Sequence, residues 1–146
     1  MKNFQFGKIR PHPTSKGTVG DYALHVQCPW RLVTCDSILT SSADYYEPAV
    51  EGEIVNVDDC GSGNLQRKRL LEVFGAYDES TRSLINATDA LIVTTVQADR
   101  FGGLDLELSG GFRLQVFPSG SRGEDWRFFS PGNDHDHFVI EGGRQQ

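Results

Sequence analysis

"GLDLELSGGFRLQVF", Gly103 to Phe117, is two alternating runs joined by a glycine-rich link. A two-residue Gly-Gly turn would set Leu108 opposite Arg113 and mix apolar with charged side chains on one face. A three-residue loop, Ser109 to Gly111, pairs Leu108 with Phe112, Leu106 with Leu114 and Leu104 with Val116. The same register sets Glu107 against Arg113 on the other face. The pattern therefore predicts an antiparallel hairpin with a three-residue loop and Gly111 in the left-handed region.

Working outward, "LIVTTVQA" precedes this hairpin, and "DWRFF" and "HFVIEG" follow it between Gly-rich turns. Residues 91–141 read as a five-strand antiparallel meander, forming a curved sheet or partial barrel. Its expected core continues from the hairpin through Trp126, Phe128, Phe138 and Ile140. The opposite face carries Phe117, Phe129 and Val139, with Arg127 and His137 among them. An apolar second face needs a cover, so these five residues form the candidate binding surface.

Further upstream, "YALHVQC" alternates as a strand, Pro29 interrupts it, and "WRLVTCDSIL" resumes the extended pattern. "NLQRKRLLEVF" predicts a helix over 64–74, with Ser62 or Asn64 as its cap and Gly75 as its stop. A short helix is expected around "ESTRSLIN". Glycines and prolines in the first twenty residues predict an irregular arm. The domain plan is one α+β domain, mostly antiparallel β: arm 1–20, strands within 21–57, helix 64–74, meander 91–141.

At 146 residues the chain can bury roughly two thirds of its unfolded surface without disulfides or metal. Its net charge is −6 and its only dense basic run is "QRKR", 66–69, which argues against a nucleic-acid partner. No segment has the length of apolar sequence that a membrane span requires, and a cytoplasmic location is expected. Cys28, Cys35 and Cys60 are odd in number and lack framework spacing, which fits a reducing compartment.

Chemistry is most legible in "GNDHDHFVIEGG", 132–143. An H-x-H on a strand turns two imidazoles to one side, and His135, His137 and Glu141 are the candidate ligands for a divalent transition metal. H-x-H-x3-E resembles the first metal motif of the cupin family, double-sheet β-barrels with oxygenase, isomerase and binding roles. Cupins add a second motif downstream, and here five residues follow Glu141. The competing reading makes Gly132–Asp134 a polar turn and His137 an ordinary strand residue. "DDCGSGNLQRKR", 58–69, reads as a helix-entry turn, because Gln66 stands where a phosphatase-type C-x5-R needs arginine. Asp105 and Glu107 fall on the face beside Arg113, as solvated charge, and no catalytic residue is assigned.

Taken together, "YALHVQCPWRLV", "GGLDLELSGGFRLQVFPS", "EDWRFFSP" and "HFVIEGG" resemble small uncharacterised bacterial β-rich proteins. Some of these act as immunity proteins that neutralise a partner toxin. The apolar second face, the acidic charge and the lack of a catalytic constellation lead to the expectation of a non-enzymatic domain that binds a protein partner or forms a homodimer. A small cupin-like metal-dependent enzyme, or a small-molecule-binding barrel, is the alternative.

Overall fold

The structure, a computed structural model, describes residues 1–14, 17–56, 63–78, 80, 83–85, 91–132 and 137–146. Two five-stranded antiparallel sheets dominate it. The first orders its strands β1 (Lys2–Phe6), β4 (Tyr22–Val26), β12 (Glu124–Phe129), β13 (His137–Glu141) and β14 (Arg144–Gln145). The second orders β6 (Ile38–Ser41), β5 (Trp30–Val33), β11 (Phe112–Val116), β10 (Leu104–Leu108) and β9 (Val93–Ala98). Two ribbons, β2 (Arg10–Pro11) with β3 (Thr18–Val19) and β7 (Ala76–Asp78) with β8 (Ser83–Ile85), complete the strands among the described residues. The α+β, largely antiparallel class read from the sequence is the class of the fold.

The Gly103–Phe117 hairpin has the expected register, Leu104 to Val116, Leu106 to Leu114 and Leu108 to Phe112, with Glu107 opposite Arg113. Gly111 is left-handed as expected (φ 80°), and so is Gly110 (φ 78°). The meander as a whole divides: β9, β10 and β11 belong to the second sheet, while β12 and β13 cross to the first. The chain changes sheets twice, at Gln27–Pro29 and after Phe117. Both corners are tied, Pro29 O accepting from Phe117 N at 2.8 Å and Asp125 O accepting from Gln27 N at 2.8 Å and Cys28 N at 3.2 Å. Period-2 alternation says which residues share a face; it does not say which sheet the strand joins.

The inward faces of the two sheets share one core: Phe4, Leu24, Val26, Trp126 and Ile140 from the first meet Trp30, Leu32, Leu106, Leu108, Leu114 and Val116 from the second. The Phe4 and Trp30 rings cross edge-on at 5.2 Å between the sheets. Helix α1 (Leu65–Phe74) packs beside β6, with Leu70 in the core and Phe74 reaching Phe4 at 6.3 Å. Asn64 is the cap, its Oδ1 accepting from Arg67 N at 2.7 Å, and Gly75 ends the helix at φ 75°.

Three expectations need correction. The N-terminal arm is not irregular throughout, because "KNFQF" alternates and lays Phe4 and Phe6 on the inward face of β4, opposite Leu24 and Tyr22. The segment expected to be a short helix contains β8; Ser83–Ile85 pair with Ala76–Asp78 instead. Phe128 and Phe138, expected in the core, are 38% and 43% exposed. They lie on the inward face of the first sheet, but their ring contacts are Tyr22, Phe6 and Trp126, all from the same sheet.

Candidate functional site

Four of the five candidate surface residues come together on the outward face of the first sheet. Strand register places His25, Arg127 and Val139 side by side, and Ala23, Phe129 and His137 in the next row. The Phe129 ring is flanked by His25 at 4.7 Å and His137 at 4.8 Å. Arg127 Nη1 lies 3.3 Å from His137 Nδ1, and its guanidinium forms an ion pair with Glu124. Gln27 Nε2 donates to the same Glu124 at 2.9 Å. Phe117 is not part of this group: it follows β11 of the second sheet and lies under the Arg31 guanidinium, 5.1 Å from it.

The electrostatics of this face are those of a satisfied cluster. Burial, then the nearby Arg127 charge, hold His25 below its ordinary pKa and so keep it neutral at neutral pH. The Arg127 hydrogen bond holds the Glu124 carboxyl below the usual carboxylate range. Both ends of the Glu124–Arg127 pair are thus engaged, and neither is placed as a free acid or base.

Of the metal triplet, His135 lies outside the described residues. His137 and Glu141 both lie on β13 and share its outward face. Four residues apart at ~3.3 Å each, their Cα atoms stand roughly 13 Å from one another. His137 turns to Arg127 and Phe129, while Glu141 is exposed and aligned with Glu124 and Arg144. Among the described residues no three His, Cys, Asp or Glu side chains gather as a metal site. Asp58, Asp59 and Cys60 of the helix-entry turn also lie outside the described residues. Asp105 is half of a bidentate pair, accepting from Arg113 Nε at 3.1 Å and Nη2 at 2.7 Å, and it accepts from Gln115 at 2.8 Å. Those carboxylate oxygens are committed to the sheet surface.

Three further features were not visible in the sequence. Tyr22 stacks on Phe128 at 5.5 Å, Phe6 meets Phe128 edge-on at 6.1 Å, and Phe138 stacks on Trp126 at 5.5 Å. With Tyr22 50% exposed beside the two half-exposed phenylalanines, this is an aromatic surface on the rim of the core. A cleft of about 280 Å³ opens between β1 and α1, lined in part by Lys2, Trp30, Ser42, Tyr45 and Gln66. Burial, then Arg67, lower the pKa of Lys2 there. The third feature is the outer edge of β9. Local period already sets Phe128 and Phe138 on one face, but Tyr22 and Phe6 join them only through distant register, so a signal for the full cluster would have required knowing that β1, β4 and β12 are neighbours.

No family model, curated protein or solved structure matches the chain. Among the described residues no helix is long and apolar enough to cross a membrane.

Proposed function

We propose that the protein is a non-enzymatic domain that binds another protein through the first sheet, with Tyr22, Phe128 and Phe138 as the anchor residues and Phe6 supporting them. The observation that carries this reading is the aromatic surface itself: four rings clustered by the sheet register, three of them substantially exposed. Aromatic side chains held rigid by their neighbours bind with little loss of rotamer freedom, which is why they dominate interface energetics. The outward cluster of Arg127, Phe129, His137 and Val139 lies on the reverse side of the same strands and offers a more polar flank. Cys28 and Cys35 are free thiols, and we place the protein in a reducing compartment, the cytoplasm.

The test is site-specific photocrosslinking in the cells that make the protein. A photoreactive residue at position 138 gives a discrete protein adduct, whereas one at position 71 on the exposed helix surface does not. Tyr22→Ser with Phe128→Ser removes that adduct while leaving the circular dichroism spectrum unchanged. Equal adducts from positions 138 and 71, or none from 138, would overturn the reading.

A further inference from the structure

Each sheet of an open sandwich has two edges whose backbone groups can recruit another strand, and folded proteins blunt such edges with charge, cover, brevity or bulges. Three of the four edges here are blunted. β3 and the residue after it press on β1: Gln5 Nε2 donates to Thr18 O at 3.0 Å, and a Cβ on Gly20 would stand 2.6 Å from Phe6 O. The β6 edge is capped by side chains, Asp44 Oδ2 accepting from Ser41 N at 3.0 Å and Gln66 Nε2 donating to Ser41 O at 2.9 Å. β14 is two residues long and one of them is Arg144. β9 differs in charge, cover and length: "VTTVQA" is six residues without charge or proline, and among the described residues no strand or side chain pairs with its outer side.

The hydrogen-bond phase of β9 identifies the free groups. Asp99 N donates to Gly103 O at 3.0 Å, so the pairs Gln97–Asp105 and Thr95–Glu107 are the hydrogen-bonded ones, and Val96 and Ala98 turn their N–H and C=O outward. A bulge interrupts the start of the strand, with Val93 opposite Leu108 and Thr95 opposite Glu107, and leaves Thr95–Ala98 regular. Val96 is 60% exposed although it shares a face with buried Leu106, and Ile92, just before the strand, is 65% exposed.

We propose that β9 pairs antiparallel with β9 of a second copy of this chain, Val96 opposite Val96, so that the second sheets of two molecules run on as one across a two-fold axis. This register sets the outward N–H and C=O of Val96 against those of Val96 in the other copy, as an antiparallel ladder requires. It sets Thr95 beside Gln97 and Asp99 beside Val93, so a chain of net charge −6 meets itself without acid against acid. The two exposed valines come together, and Ile92 approaches Arg100 and Phe101 of the other copy. With no charge along the strand, nothing selects the side chains of a foreign peptide; what the edge matches is its own sequence. The site is separate from the aromatic surface, and its test does not depend on what binds there.

The experiment measures solution mass by sedimentation, from about 1 to 100 µM, a range that brackets a weak specific interface. The wild-type chain is expected to be a dimer at the upper end. Val96→Pro removes an N–H that the register leaves unbonded to β10, so the fold survives and the mass falls to that of the monomer. Val96→Lys keeps the N–H and gives the same monomer by placing two cations at the axis, which covers the case in which the proline variant fails to fold. In a Cys35→Ser, Cys60→Ser background, Val96→Cys cross-links to a dimer under mild oxidation and Gln97→Cys does not. A monomeric wild type, a dimer that persists in both Val96→Pro and Val96→Lys, or equal cross-linking at 96 and 97 would overturn the proposal.

Discussion

The hairpins β10–β11 and β12–β13 carry the same alternating pattern and are held in place by different means. In the first, Leu106, Leu108, Leu114 and Val116 are all buried between the sheets. In the second, Trp126 and Ile140 are buried but Phe128 and Phe138 stand at the rim, and polar pins take over. Trp126 Nε1 donates to Gly102 O at 2.7 Å, and Asp125 Oδ2 accepts from Gly143 N at 3.0 Å. Gly102 itself has no substitute, since at φ 77° a Cβ would lie 2.5 Å from Ile140 Cγ2. Alternation tells which side of a strand is apolar; how far the opposing layer reaches decides whether that side is buried.

The comparison can be broken by substitution. Leu114→Ala, at 2% exposure in the centre of the first hairpin, is expected to cost about 2–5 kcal/mol in denaturant unfolding. Asp125→Ala strands the Gly143 N–H and is expected to cost about 1–3 kcal/mol, a large effect for a polar residue. Phe138→Ala should cost only about 1 kcal/mol, because much of the ring is already in water. A loss at Phe138 as large as that at Leu114 would mean the rim is covered after all. The smallest effect concerns His25. Its folded pKa lies below the ordinary 6.5, so as pH falls through that value the unfolded chain takes up a proton first and stability declines. His25→Phe is expected to flatten thermal midpoints between pH 7 and pH 5 relative to the wild type.

What could be read in advance follows the same division. The β10–β11 register was legible because both strands and the loop lie within fifteen residues, and only one loop length sorts Leu106 and Leu114 from Glu107 and Arg113. The helix was legible from Asn64 and Gly75 at its ends. The assignment of β12 and β13 to the other sheet was not, since it depends on β4 meeting Trp126 to Phe129 across about a hundred residues. Neither was β1, whose short alternation sits beside the glycines and prolines that follow it. On the candidate surface, Arg127, Phe129, His137 and Val139 were correctly placed on one face by local period. His25 joins them only through the β4–β12 pairing, and Phe117 leaves them because the chain changes sheets at that point.

The double crossing between sheets also has a kinetic side. β4 is made early, yet its partner β12 follows roughly a hundred residues later, with the whole second sheet made in between. Closing the first sheet therefore requires the ends of a long loop to meet, and the entropy of that closure places such topologies among the slow folders. Until β12 arrives, Leu24 and Val26 wait on a strand with one side unpaired. The risk of misassembly is concentrated in that interval, before Glu124–Phe129 are available to pair.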